Sequence, residues 1–384
     1  MRLIKWGLII GMAAGLFWAA VPWGVRWAIN KHVAQLGLES HLQDLSIDYV
    51  AGDFILHDWE VRSPGHEFLH VQQLQIAPDL AAWWDGRLVL RKLSAQGVRI
   101  NWQASDKGPV LAGLPAAKWQ NLLKLERGAQ LNSIALEQAK LCQSEQNNDQ
   151  CWVIGTAQAS DVVWRWDRAG WQLASRQALI MDNTHLQNEK ANLAVFLVER
   201  SLIRDFVLSN EWSRIAQWQI TGLHLVERSV DEQKNIANAY QTQASTVLIS
   251  DLGYKSGVPT QLHLGQLDIS SLRQTLHQNR DQVMLATAQL RQFLPMTEQF
   301  FNPNTPLTLG IDRTHIFDGA IAWRDESVTP AVTESLTGLN AELGSLNSLK
   351  PDTSTNLTLI TKLGQHSEFQ LRGQVRPFQN TISY

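Results

Sequence analysis

From Asp44 to the end of the chain, apolar side chains recur at every second position in one short segment after another, and turn-forming clusters separate the segments. A period of two belongs to a strand with one buried face. The chain is therefore predicted to be mainly β, an elongated antiparallel meander in which strand follows strand. The first segments are DLSIDYV, DFILHDWEVR, a turn at Ser63 to Gly65, EFLHVQQLQIA, a link APDLAAWWDG, and RLVLRKLSAQGVRINW. Ile55, Trp59 and Val61 are assigned to one face together with His57. Leu69 and Val71 share a face that Leu74 and Ile76 continue after a one-residue slip, which predicts a bulge. Leu88 and Leu90 alternate in the next segment, and Val98, Ile100 and Trp102 alternate beyond Gly97.

The pattern resumes in LNSIALEQAKL, WVIGTAQASDVVWRW, LAVFLVER, WQITGLHLVE, STVLISD, PTQLHLGQLDI, NLTLITKLG and SEFQLRGQV. A hairpin turn is predicted at Asp167 to Gly170, leading into Trp171 and Leu173. Another is predicted at Asp318-Gly319, since Asp-Gly between apolar alternations is a strong short-range signal. Helical spacing appears in three places. Trp27 to Leu38 stops at Gly37; residues near 116–126 carry Trp119, Leu122 and Leu123; and residues near 271–293 carry Leu272, Leu276, Val283, Leu290 and Phe293 ahead of Pro295.

Ahead of the strands, Trp6 to Val25 is uncharged, with Arg2 and Lys5 on one side and Arg26 on the other. At ~1.5 Å per residue it reaches ~30 Å, the thickness of a bilayer core, and predicts one N-terminal transmembrane helix. A cleaved secretory signal also has a basic start and an apolar core. Cleavage after Ala20 would place the bulky Trp18 where a small residue is wanted, so an uncleaved anchor is the preferred reading. Basic residues flank the run on both sides, so charge bias is weak; the very short N-terminal side favours a cytoplasmic start and a body on the far side.

Composition agrees with a tethered body. The 384 residues are 44% hydrophobic and 18% charged with net charge -3, and there is no basic tract, which argues against nucleic acid as a partner. The only two cysteines, Cys142 and Cys151, flank the polar insert QSEQNNDQ between two predicted strands. In an oxidising compartment they would form a disulfide; in a reducing one they would stand as two thiols.

The chain carries no HExxH, GxSxG, Walker loop, strand-to-helix GxGxxG or CxxC, so an enzyme reading has little support. His57, His66 and His70 would lie close across a hairpin, but eleven histidines are scattered through the chain and ordinary sheet positions account for these three. No metal site or cofactor is implied. Trp6, Trp18 and Trp23 fit interfacial anchoring of the span. The other tryptophans read as core residues or as aromatics on a long apolar surface.

From Tyr49 to Trp102 the order of a strand ending in Asp58-Trp59 with Val61, a turn through Pro64-Gly65, LHVQQLQIAPDLAAW and DGRLVLRKLSAQGVRINW resembles the start of AsmA-like proteins (AsmA/TamB/YhdP type) just after their single span. IDRTHIFDGAIAWRDESVTP, followed by LTGLNAELGSL and SEFQLRGQVRP, resembles the repeat module of the AsmA-related proteins. There Asp318-Gly319, Trp323 and Asp325 take the places of the module's turn, aromatic and acid. Together the two matches cover about a third of the chain.

The resemblance implies a single-pass inner-membrane protein with its body in the periplasm of a Gram-negative envelope. It implies a curled sheet forming a U-shaped apolar groove, with a few packing helices, that carries phospholipids between membranes or maintains the outer membrane. The organisation it implies is an anchor at 1–30, an AsmA-like β-groove region at 31–300 and a repeat module at 301–384, incomplete at its end. The groove-lining candidates are then Ile55, Trp59, Val61, Leu69, Val71, Leu74, Ile76, Leu88, Leu90, Val98, Ile100 and Trp102. A one-residue register error would reverse the face to which any of them belongs. The competing reading is an envelope scaffold that moves no lipid and recruits a protein partner. An open apolar trough would separate the first reading from a sheet closed on itself.

Overall fold

The computed structural model describes residues 21–35, 37–63, 66–103, 110–111, 114–115, 129–143, 150–167, 170–188, 193–209, 211–230, 236–255, 260–278, 307–350, 352–364 and 367–376. The chain is mainly β, as its alternation requires. Contacts divide it into two units, Met1–Val162 and Val163–Tyr384.

The first unit opens with helix α1 (residues 21–35). There follow β1 (Glu39–Asp48), β2 (Asp53–Ser63), β3 (His66–Pro78), the one-turn helix α2 (Leu80–Trp84), β4 (Val89–Gln103), the short β5 (Val110–Leu111) and β6 (Leu114–Pro115), β7 (Ala129–Gln143) and β8 (Gln150–Asp167), within which the unit boundary falls. Strands β1 to β4 pair antiparallel in sequence order, and β7 returns to lie parallel to β4. Ser63 pairs with His66, so β2 and β3 meet at the predicted turn, whose Pro64 and Gly65 lie outside the described residues. The link after β3 contains α2, which alternation did not announce; Asp79 caps it, its side chain accepting from the Ala82 amide at 3.0 Å.

The second unit contains β9 (Gly170–Asn188), β10 (Leu193–Ser209), β11 (Trp212–Val230), β12 (Ile236–Lys255), β13 (Thr260–Ser270), β14 (Arg273–Gln278), β15 (Leu307–Asp325), β16 (Val332–Leu343), β17 (Leu346–Asn347), β18 (Thr355–Leu363) and β19 (Ser367–Val375). Pairing again runs mostly in sequence order and antiparallel, except that β13 and β14 both lie parallel to β15. The turn predicted at Asp167 to Gly170 falls between the end of β8 and the start of β9, with the Trp164 and Trp171 rings 6.5 Å apart.

Two sequence expectations are overturned here. Residues 273–278 form a strand, not the start of a helix over 271–293. Leu272 and Leu276 have helical spacing, but the segment is claimed by β12 on one side and β15 on the other. Residues 279–293 lie outside the described residues, as do 116–126. Nor is Asp318-Gly319 a hairpin: β15 runs straight through it for 19 residues. Asp318 has φ +50, a left-handed residue inside a continuous strand.

That left-handed conformation is a device the fold repeats. Asp58, Gly97 and Gln138 all have positive φ and fall in one row, with Gln72 between Asp58 and Gly97. In the second unit a row runs through Asn183, Glu199, Gly222, Ser245, Ser271 and Asp318, and four of the six have positive φ. Another runs through Asp205, Ala216, Asp251, Gly265 and Asp312, with positive φ at Asp205 and Asp251. Gly, Asn, Asp and Ser are prominent at these positions because a Gly lacks the Cβ clash, and a short polar side chain tolerates it best among the rest. Gly97 and Gly222 are doubly constrained: a Cβ would collide with the side chain of Gln72 or of Glu199.

Candidate functional site

Each kink row shifts the buried face by one residue. In β2 the inward positions are Phe54 and Leu56 before Asp58, then Trp59 and Val61 after it; in β10 they run Phe196, Val198, then Ser201, Ile203, then Phe206, Leu208. Residues paired across strands share a face, so each inward position extends into a row. In the first unit four such rows are apolar. They are Ile47–Phe54–Ile76–Leu93–Ile134, Leu45–Leu56–Leu74–Ala95–Leu136, Leu42–Trp59–Val71–Val98 and Val61–Leu69–Ile100–Leu141.

The second unit carries Ser201–Ile220–Val247–Ile269–Ile316, then Ile203–Trp218–Ile249–Leu267–Thr314, and beyond the second kink row Phe206–Ile215–Leu252–Leu264–Ile311. The opposite face is mostly polar, with Leu202, Leu248 and Phe317 among the exceptions. One of its rows continues from Gln219 and Leu248 through Asp268, His315 and Glu342 to Thr358 and Arg372.

Eight of the lining candidates, Trp59, Val61, Leu69, Val71, Leu74, Ile76, Val98 and Ile100, therefore lie on one face. Trp102 lies two residues beyond Ile100 on the same strand. Ile55 does not share this face. It pairs with Gln75, whose side chain bonds Asp53 at 2.8 Å and Lys92 at 2.9 Å on the polar side, because the kink at Asp58 reverses parity between Ile55 and Trp59. Leu90 lies opposite Pro78, past a bulge, and Leu88 precedes β4. Missed altogether were Phe54, Leu56, Leu93 and Ala95. Their signal was legible: a spacing of three between apolar residues, straddling an Asp or a Gly.

Helix α1 covers part of this surface. Its stripe Val25, Ile29 and Val33 has the i, i+4, i+8 spacing of one helical face. Val25 and Ile29 pack against the cluster of Leu42, Leu45 and Leu56; Val33 packs against that of Leu38, Val61 and Phe68. Gly37, at φ +75, ends the helix as predicted: its amide bonds the Ala34 carbonyl at 3.0 Å and the Leu38 amide bonds that of Val33 at 3.3 Å, so Leu38 folds back against Val33. Trp59 lies between the two clusters, its Nε1 donating to Ser40 Oγ at 3.0 Å. Among the described residues of the second unit there is no such helix, and most of its inward apolar side chains are only half-buried.

Cys142 and Cys151 are joined in a disulfide, both fully buried, at the mouth of the loop between β7 and β8. Asp318 is clamped rather than turned: the Arg273 guanidinium bonds its carboxylate at 3.2 Å and also its carbonyl, and Ser271 donates to the carboxylate at 3.4 Å. Asp325 accepts from the Ser327 amide at 2.8 Å and starts the loop to β16, and Trp323 stands half-exposed two residues earlier.

Beside the kink, the His315 ring lies 3.4 Å from both Asp268 and Glu342, and Arg313 approaches Glu342 at 2.7 Å. Hydrogen bonding from His315, and then from Arg313, holds the Glu342 carboxyl below its ordinary value. Among the described residues no three His, Cys, Asp or Glu side chains gather to hold a metal. No described helix is long and apolar enough to cross a membrane; residues 6–20 of the expected span lie outside the described residues. No protein-family model matches the chain, and no curated protein matches it.

Proposed function

We propose that this chain is a single-pass inner-membrane protein whose periplasmic body shelters phospholipid acyl chains along an apolar β-surface, for transfer between membranes or upkeep of the outer membrane. The observation that carries the reading is the set of apolar rows in the second unit. Interrupted only by Ser201 and Thr314, they run across β10 to β15, face away from a mostly polar side, and have no described helix laid on them. Two kink rows would bend such a sheet into a floor and two walls, the cross-section of the trough this reading requires. The nine strand positions from β9 to β19, at ~4.8 Å each, give a track of ~40 Å. An acyl chain of about sixteen carbons costs ~12 kcal/mol to expose to water, so a sheltered track removes most of the barrier to its movement.

A scaffold that recruits a protein is the second reading. It is favoured by β19, which is exposed along almost its whole length and presents Phe369 and Leu371. A photoreactive amino acid at Ile249 on the apolar face, compared with one at Leu248 on the polar face, separates the two in cells. Phospholipid captured at position 249 and not at 248 supports the trough. Absence of lipid at both positions, with protein captured near Phe369, would replace it with the scaffold.

A further inference from the structure

Helix α2 is an anomaly for a soluble surface. Of its five residues only Ala82 is buried, while Leu80, Trp83 and Trp84 are 60%, 43% and 94% exposed. Beside it stands the β1–β2 turn, where Val50 is wholly exposed. The two belong together. A Cβ on Gly52 would touch Leu80 Cδ1 at 3.5 Å, and Arg91 of β4 reaches the Ala51 carbonyl and the Asp53 carboxylate. A contiguous apolar patch of this kind marks an interaction site.

The direction of α1 says what the patch faces. Val25 and Ile29 pack against the cluster of Leu42, Leu45 and Leu56, and Val33 packs against that of Leu38, Val61 and Phe68, so α1 runs in the same direction as β2 and its start lies toward the end of the sheet where the β1–β2 turn projects. From Val25 back to Val21 the helix rises a further ~6 Å toward that end. The uncharged run of the sequence leads directly into that end. Trp23 and Trp27 are also exposed there, on the outward stripe of α1, with Lys31 Nζ 4.6 Å from the Trp27 ring. Aromatic side chains grouped at one level beside a span are what a membrane interface selects.

Asp48 is occupied by the amides of Val50 and Ala51, Asp53 by Arg91 and Gln75, Asp79 by α2 and Asp85 by Arg87. We infer that Val50, Leu80, Trp83 and Trp84 rest in the interfacial layer of the same bilayer into which α1 leads. That gives the body a second point of contact and fixes its orientation. This rests on the membrane-anchored reading above, and the test keeps the two apart.

The native cysteines are joined, so single cysteines at Val50→Cys, Trp84→Cys and, at the far end of β1, Glu39→Cys can each be labelled with a polarity-sensitive fluorophore. The full chain is placed in vesicles of phosphatidylethanolamine and phosphatidylglycerol containing nitroxide lipids. The expected result is a blue shift and quenching at positions 50 and 84 and neither at 39. Unquenched probes at 50 and 84, on a chain that stays with the vesicles through alkaline extraction, would overturn the patch and leave the anchor standing. Quenching at all three positions overturns it too, since the body would then lie flat. A chain released by alkaline extraction removes the anchor and the patch together.

Discussion

The two units carry the same surface under different cover. In each, apolar rows cross the strands on one face, left-handed residues shift the register, and a tryptophan donates to a serine on the preceding strand: Trp59 to Ser40 at 3.0 Å, Trp218 to Ser201 at 2.7 Å. In the first unit α1 lies on those rows and turns them into a packed core, with Leu42 only 1% exposed. In the second no described helix does so, and although Val198, Phe206, Val247 and Leu264 are buried, Ile220, Ile249 and Leu267 are only half-buried on a face that otherwise repeats the first. The same sheet chemistry therefore yields a packed core where a helix is supplied and, among the described residues, a largely half-buried apolar face where none is laid.

The largest expected effect tests that contrast directly. Leu42→Ala should cost ~3 kcal/mol, because it removes a side chain enclosed on all sides. Ile249→Ala should cost ~1 kcal/mol, since the lost side chain was already half in solvent. Denaturant titration with hydrogen exchange resolved to β1–β3 and to β11–β13 checks both. Equal costs would mean that the second face is covered after all. Next in size, removing the disulfide by Cys142→Ser with Cys151→Ser should cost ~2–3 kcal/mol on the loop-entropy account, with increased exchange confined to β7 and β8. Increased exchange that spreads into β10–β15 would show the units to be less separate than their contacts make them.

The kinks should behave alike in both units, which sharpens the comparison from the other side. Gly97→Ala and Gly222→Ala each place a Cβ at φ +63 against a neighbouring side chain, and each should lose ~1–2 kcal/mol in thermal unfolding. A loss at one and not the other would mean that the kink rows serve different purposes. Smaller again, Trp59→Phe and Trp218→Phe each delete one hydrogen bond to serine and should cost ~1 kcal/mol. They part company on lipid. Deleting Trp218 should remove a tryptophan that brominated phospholipid quenches, and deleting Trp59, packed against both core clusters of the first unit, should leave the quenched signal unchanged.

Much of this was legible in the sequence. The alternation in LHVQQLQIA gave the strand, and the insert between Cys142 and Cys151 marked a loop. But the slip between Val71 and Leu74 is not the bulge it suggested: the register of β3 is unbroken there, and Gln72 joins a row whose left-handed residues lie on the neighbouring strands. The errors have one physical origin. A left-handed residue inside a strand uses the residue types that make turns, so Asp318-Gly319 looks like a hairpin until β14 and β16 are seen pairing alongside it. The same parity change moved Ile55 to the wrong face. Leu272 and Leu276 misled for another reason: two positions four apart fit a helix, and only the partners on β12 and β15 decide for a strand.

The polar side of the second sheet offers the smallest and most specific test. Glu342 is held below the ordinary carboxyl value of 4.5 first by His315 and then by Arg313. The ring contact is long at 3.4 Å and leaves His315 Nε2 without a well-aligned acceptor, while Arg313 at 2.7 Å is the closer partner. A carboxyl whose folded value is depressed contributes stability that is fully present above its unfolded value and is lost as pH falls through the folded one. The difference in melting temperature between the native chain and Glu342→Gln should therefore be constant above pH ~4.5 and shrink below it. Its size should be small, because this carboxylate is solvated and screened, as an ion pair on the outer face of an open sheet would be. A large difference, or one that persists in high salt, would mean that this polar face is covered, and the contrast between a closed first face and an exposed second sheet would then need a different cause.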